Sequence, residues 1–251
     1  MQRLLLVIAV IAGCRPSGQQ NTPARGATSS AQPSTTASDS VRADSLLQRA
    51  DRARIQGDSS APVWIVELSD FQCPYCKQWH DETYPVIVRD YVAKGQVRLA
   101  YVNFPLQMHV HALAAAEAAM CAAAQNRFWP MHDSLFASQP RWSDKSDSAA
   151  AAMFDSLAMK VGVDSKQWRD CVRSGVMRRI VNADRARGTS AGVHSTPSFF
   201  VGDEPIQGAA PTATFRAAIE RARAKAASRG SSSSTAPPSS PPSAAPSPPP
   251  T

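Results

Sequence analysis

The sequence predicts an α/β fold in which a mixed central sheet is interrupted by a long helical block. Three observations carry that prediction. An apolar run, Val63-Trp64-Ile65-Val66-Glu67-Leu68, is followed by a helix opening on Pro74 and by a second run from Val97 to Phe104. Strand, helix and strand in that order make a right-handed parallel crossover. From His109 to Ala191 the pattern is helical throughout, and past Gly192 two short runs, Ser198–Val201 and Pro205–Gln207, are split by the turn pair Gly202-Asp203. That last feature reads as an antiparallel hairpin, so the sheet is mixed.

The elements follow in order. Met1-Gln2-Arg3 is a basic start and Leu4 to Ala12 an apolar run, too short to span a bilayer but suited to a signal-peptide core. Its end, Ile11-Ala12-Gly13-Cys14, resembles the bacterial lipoprotein signal, in which a cysteine is lipidated and becomes the new N-terminus. An ordinary secretory signal with an incidental cysteine is the alternative. Residues 1–13 are therefore expected to be a signal peptide and 14–57 a flexible tether anchored through Cys14. Helix formers from Val41 to Gln56 allow a short helix to lead into the domain. The folded domain is expected over 58–227.

Within it, the run at Val63 suits a central strand covered on both faces. Pro74 marks a helix start and Pro85 a kink or split before Val86 to Val92. The helical insertion, about 107–191, divides into segments near His111–Asn126, Trp129–Ala137, Ser148–Val161, Ser165–Ser174 and Val176–Ala191. A last amphipathic helix carries Phe215, Ile219 and Ala222. Residues 228–251, almost wholly Ser, Pro, Ala and Thr, have little means of burying a core and read as a disordered tail.

Lys and Arg number 27 against 20 acids, a net +7 that is spread through the chain. Arg178, Arg179, Arg185 and Arg187 share one helical stretch, but no aromatic or glycine pattern accompanies them. They read as a solvated face, and no nucleic-acid partner is expected. The five cysteines divide simply: Cys14 for lipid, Cys73 and Cys76 in a C-x-x-C, and Cys121 with Cys171 as a potential pair. Export exposes that last pair to oxidation, so a structural disulfide is expected, two separate buried thiols being the alternative.

Cys73 stands just ahead of a helix, where backbone N–H groups and the helix dipole favour a thiolate. Cys76 lies one turn inside, more buried, and near enough to close the bond. Half of a zinc site is the competing reading, but no second C-x-x-C or Cys/His cluster exists, and no metal set is expected. Glu67 is the one charge between Trp64 and Leu68, on the face shared with Val63 and Ile65. Burial there raises a carboxyl's pKa and suits it to relay the Cys76 proton; a strand-end glutamate reaching water is the alternative. Thr196-Pro197, at a strand edge, is a candidate cis bond, with the Thr196 backbone free to pair with an extended substrate. His194 reads as a solvated loop residue, although it stands near enough in sequence to tune the thiolate. His80, His109 and His111 have no metal partner at ligand spacing, and Phe128, Trp129 and Phe136 read as core.

With these residues together, the chain resembles the DsbA-like branch of the thioredoxin superfamily. The matching stretches are VWIVELSDFQCPYC, HALAAAEAAMCAAAQNRFWPMHDSLFA and GVHSTPSFFVGDEPIQG, from about Val63 to Gly208. The resemblance implies a thioredoxin fold with an inserted helical domain and a cis-proline loop against the dithiol. It implies Cys73 as nucleophile, Pro74 and Tyr75 opening the active-site helix, Cys76 as resolving thiol, Glu67 as buried acid and Thr196-Pro197 as the cis-proline pair. The substrates implied are cysteines of exported proteins, with no cofactor beyond the dithiol and with a membrane redox partner. Residues 15–57 are too polar and short for the dimerisation domain of dimeric isomerases, so a monomer is expected. One departure stands out: the dipeptide between the cysteines is Pro-Tyr, not the Pro-His of strongly oxidising DsbA proteins. A dithiol oxidase in the cell envelope is the leading expectation. A reductase or isomerase with the same site, and a non-catalytic binding module, are the alternatives.

Overall fold

The computed structural model describes residues 37–233. The expected sheet is there, with strand order β1-β3-β2-β4-β5. Its strands are β1 (Ile55–Gln56), β2 (Val63–Ser69), β3 (Val97–Asn103), β4 (Ser198–Val201) and β5 (Glu204–Gln207). The apolar run β2 is central, parallel to β3 and antiparallel to β4, with Glu67 opposite Tyr101 on one side and Phe199 on the other. Residues 63, 65 and 67 alternate into the interior, while Trp64 reaches the surface under the Arg98 guanidinium. Coverage of the second face is therefore incomplete at that end of the strand.

Between β2 and β3 lie α2 (Pro74–Glu82), α3 (Tyr84–Ile87) and a π-helical turn, Val88–Val92. The split falls at Thr83, two residues before Pro85, whose ring cannot continue a regular helix. Trp79 and Ile87 from this layer meet Ile65, Leu99, Phe199 and Phe215 in one core.

Five helices separate β3 from β4: α4 (Ala112–Ala123), α5 (Phe128–Ala137), α6 (Asp147–Lys160), α7 (Ser165–Ser174) and α8 (Arg178–Ser190). Small side chains let α4 run buried through the middle of this block. Cys121 of α4 is bonded to Cys171 of α7, fifty residues on. Closing a loop of that length stabilises the fold by roughly 4 kcal/mol on the chain-entropy model. Helix α8 crosses the other face of the sheet so closely that a Cβ at Gly188 would stand 2.7 Å from Leu68 and Phe104.

Two boundaries differ from the sequence reading. The stretch assigned to a tether, 14–57, contains α1 (Ala37–Ala53) and β1, and both belong to the folded unit. Ala50 is fully buried, Leu46 and Leu47 pack on the helical core, and β1 extends the sheet antiparallel to β3. The reason is Arg54, which is buried just past the end of α1. Its guanidinium donates to Asp184 Oδ1 at 3.0 Å, to Asp184 Oδ2 and to the Tyr101 carbonyl at 3.0 Å, fastening the end of α1 to α8 and β3. The second correction is at the other end, where α9 (Thr212–Ser233) continues into the segment read as a disordered tail. Cys14 and the expected signal peptide lie outside the described residues, as does the chain beyond 233.

Three arginines of α8 lie on a solvated face with acidic partners. Arg178 pairs with Glu117, Arg179 with Asp44 and Arg187 with Asp184. Among the described residues, no helix is long and apolar enough to cross a membrane.

Candidate active site

Strand β2 ends at Ser69, and the chain turns through Asp70, Phe71 and Gln72 before α2 begins. Cys73 caps that helix with extended backbone (φ −70°, ψ 125°), and Pro74 takes the first helical position, where its missing N–H costs nothing. Glutamine side chains hold this turn against the helical block. Gln139 Nε2 donates to the carbonyls of Phe71 (2.7 Å) and Cys73 (3.0 Å), and Gln72 Nε2 donates to the Ser143 carbonyl (2.6 Å). The insertion thus fixes the position of the dithiol.

Both cysteines are free thiols. Cys73 is only 3% exposed and Cys76 is not exposed at all. The order of burial is the expected one, but Cys73 is a recessed attacker and not the open one its position suggests. The cause is the loop before β4. The Thr196–Pro197 bond is cis, and the Cys73 thiol donates to the Thr196 carbonyl at 3.4 Å. Tyr75, 63% exposed, stands at the surface beside it.

The two thiols are pushed in opposite directions. Cys73 is lowered to about 6, first by a hydrogen bond from Cys76, which with the Thr196 side chain and the N–H groups of Cys76 and Tyr75 outweighs burial. Cys76 is pushed well above an ordinary thiol by burial, then by its hydrogen bond to Cys73 and the Cys73 charge, although the Asp70 N–H donates to its sulfur at 3.4 Å. A cysteine pair separated in this way has an attacker that is ionised near neutral pH and a resolver that keeps its proton.

Glu67 is fully buried, and neither carboxylate oxygen has a hydrogen bond of ordinary geometry. Burial raises it to about 8, against weaker pulls from Ser69 and the charge of His80. The Ser69 hydroxyl sits close enough to Glu67, Cys76 and Tyr101 to lower all three, yet neither it nor the Tyr101 hydroxyl makes a regular hydrogen bond. Buried polar groups without partners are rare in native proteins and concentrate where chemistry needs them. Behind Cys76, then, lies a small polar interior holding a carboxyl that is protonated at neutral pH.

Sequence reasoning missed Ser69, Asp70 and Tyr101, because their roles depend on cross-strand register and on a loop closing back. It also found no ligand partner for His80. The structure brings His132 and Asp133 of α5 beside it, with potential ligand atoms within 4.8 Å of one another. These groups are occupied by one another: Asp133 Oδ1 lies 2.8 Å from His132 Nδ1 and 3.4 Å from His80 Nε2. Burial lowers His132 to about 4, whereas Asp133 and Asp81 outweigh burial and raise His80. Asp133 thus engages both histidines of the cluster. His194 is exposed, and Phe128 and Phe136 are fully buried in the helical core, with Trp129 half-buried against it.

Comparison with known proteins agrees with the fold. A family model described as thioredoxin matches residues 49–221. The chain is 37% identical over 154 residues to a Na(+)/H(+) antiporter, NhaA 3, of Salinispora tropica, covering 60% of this chain but only 22% of the antiporter. It is 29% identical over 146 residues to a probable disulfide bond formation protein D of Bacillus anthracis, covering 58% of this chain and 67% of that one. Among solved structures, oxidised BdbD from Bacillus subtilis superposes with a TM-score of 0.62 at 24% identity, over 68% of this chain and 92% of that one.

Proposed function

The chain belongs to the thioredoxin family, and from that premise we propose that it is a thiol–disulfide oxidoreductase working through Cys73 and Cys76, as a dithiol oxidase of exported proteins. One observation carries the reading: a lowered Cys73 and a raised Cys76 stand together under the Thr196 carbonyl, with a buried, protonated Glu67 behind them. The name of the Bacillus anthracis relative, a disulfide bond formation protein, supports the same direction.

In the disulfide form, a substrate thiolate attacks Cys73 Sγ. The Cys73–Cys76 bond breaks, Cys76 leaves with the electron pair, and Glu67 supplies its proton. A second substrate thiolate then attacks the substrate sulfur of the mixed disulfide, and the substrate's own disulfide forms as Cys73 departs. Its low pKa makes Cys73 a good leaving group. Two electrons have passed to the dithiol, and Glu67 recovers its proton from solvent. A membrane redox partner then removes the electrons. The Thr196 backbone is the place for an extended substrate to dock, with Tyr75 exposed alongside. The dithiol is the whole redox group, and no added cofactor or metal takes part.

The N-terminal pattern ending in Cys14 supports export and lipid anchoring, with the domain facing the extracytoplasmic side as a monomer. The reduction potential of the Cys73–Cys76 couple tests the direction. A value more positive than about −180 mV places it with oxidants; one near the −270 mV of thioredoxin would make it a reductase.

A further inference from the structure

Cys73 has a neighbour that the mechanism above does not use. After β3 the chain passes through a short loop to α4, and in that loop Met108 and Val110 are exposed while His109 between them turns inward. Its Nδ1 lies 2.7 Å from Asp70 Oδ2. Asp70 is the residue that touches both cysteines. Its N–H donates to Cys76 Sγ at 3.4 Å, and its carbonyl accepts from the Cys73 N–H at 3.1 Å. Its carboxylate is fully buried and also accepts the N–H groups of Gln72 (2.7 Å) and Leu106 (2.8 Å).

We propose that His109 is a positioning residue for the Cys73 thiolate: held by Asp70, its imidazolium cancels the charge of the carboxylate buried beside the dithiol, a role that Tyr75, between the cysteines, cannot fill. Without it, a buried anion beside the dithiol would oppose the formation of a thiolate. The hydrogen bond from His109 to Asp70 is first among the causes that hold the ring above its ordinary pKa, and the charge of Cys73 adds to it. The other ionisable groups around the dithiol do not supply the cancelling charge. Glu67 and Tyr101 lie deeper and carry no positive charge in either protonation state, and Lys77, next to Cys76 on α2, is paired with Asp81 at 2.7 Å. His111 turns the other way, its ring 2.8 Å from the Lys145 carbonyl and 3.5 Å from Asp147. His194 is exposed in the loop before Thr196. A thiolate stabilised in this way stabilises the reduced form, so the disulfide becomes the stronger oxidant. His109 thereby sets the direction of electron flow.

This inference rests on the reading of Cys73 as an ionised nucleophile, and the experiment separates the two. The thiolate absorbance of Cys73 is titrated in the folded full chain and in His109→Asn, His109→Lys and His194→Asn, with the reduction potential measured on each. His109→Asn is expected to raise the Cys73 pKa by about one unit and to shift the redox equilibrium about tenfold toward the disulfide, close to 30 mV. His109→Lys, which keeps a cation, is expected to restore most of both, and His194→Asn to change neither. An unchanged pKa and potential in His109→Asn overturns the inference while leaving the parent reading intact. So does an equal rise in the lysine variant, which would mean that the imidazole only holds the loop, or an equal shift in His194→Asn. A wild-type Cys73 titrating at about 8.5 or above would instead overturn the parent reading.

Discussion

Two of the buried carboxyl groups around this sheet, Asp184 and Glu67, are treated in opposite ways. Asp184, from α8, accepts from Arg54, from the Asn103 N–H (3.1 Å) and side chain (2.9 Å), and from Arg187 (2.7 Å). Glu67, on β2, accepts nothing of regular geometry and is raised to about 8. Where burial is matched by donors, a carboxylate fastens elements together; where it is not, the group keeps its proton and can give it up. Asp184 therefore belongs to the stability of the fold and Glu67 to the chemistry of the dithiol.

The comparison can be broken most easily at Asp184. Asp184→Ala should cost about 3–5 kcal/mol in chemical denaturation, because it leaves the buried Arg54 guanidinium only the exposed Asp51 as a charged partner and strips the Asn103 N–H of its acceptor. Activity per folded molecule should hardly change. A loss of activity without a loss of stability would mean that the two carboxyl groups are not divided as described.

Glu67 should show the reverse in its response to pH. Its folded pKa lies above its unfolded value, so the stability linked to it is fully present below about 4.5 and is lost as pH rises through about 8. The native state binds the extra proton across that window, so unfolding free energy should fall by about 3–5 kcal/mol over it. Glu67→Gln, in the oxidised protein where neither active-site thiol titrates, should flatten that part of the profile. Parallel wild-type and variant curves between pH 4.5 and 8 would contradict a buried acid. The kinetic effect is the next in size. Without a proton donor for the departing Cys76, exchange at pH 7 should slow by about 10- to 100-fold in stopped-flow fluorescence. Ser69→Ala is the smallest, about threefold on the same rate and within about 1 kcal/mol of wild-type stability.

Much of this arrangement was legible in the sequence, and what was legible was local. Pro74 after Cys73 marks a helix start by its fixed φ, Glu67 stands out as a charge in an apolar run, and Thr196-Pro197 precedes a short strand. The five helices of the insertion follow from their spacing. What stayed hidden depends on pairing across long separations. Arg54, just past the end of α1, gains a buried partner only in Asp184, far along the chain, so nothing in the local sequence marks where the tether ends. Tyr101 faces Glu67 only through the parallel register of β2 and β3. His109 begins what looks like a helix and gains a partner only because the loop folds back onto Asp70.

The account's central claim is that Cys73 is the sulfur that bonds to substrate, and Cys76, backed by Glu67, the partner that leaves it or displaces substrate from it. Trapping of mixed disulfides tests it most directly, with Cys73→Ser and Cys76→Ser variants expressed in an exporting host and resolved on non-reducing gels. Cys76→Ser is predicted to accumulate reductant-sensitive complexes with exported cysteine proteins, because Cys73 can still bond to a substrate cysteine and no neighbouring thiol is left to displace it. Cys73→Ser is predicted to form almost none, its remaining thiol being fully buried and held well above the usual pKa. Equal trapping by the two variants, with both shown to be folded, would contradict the assignment of attacker and resolver.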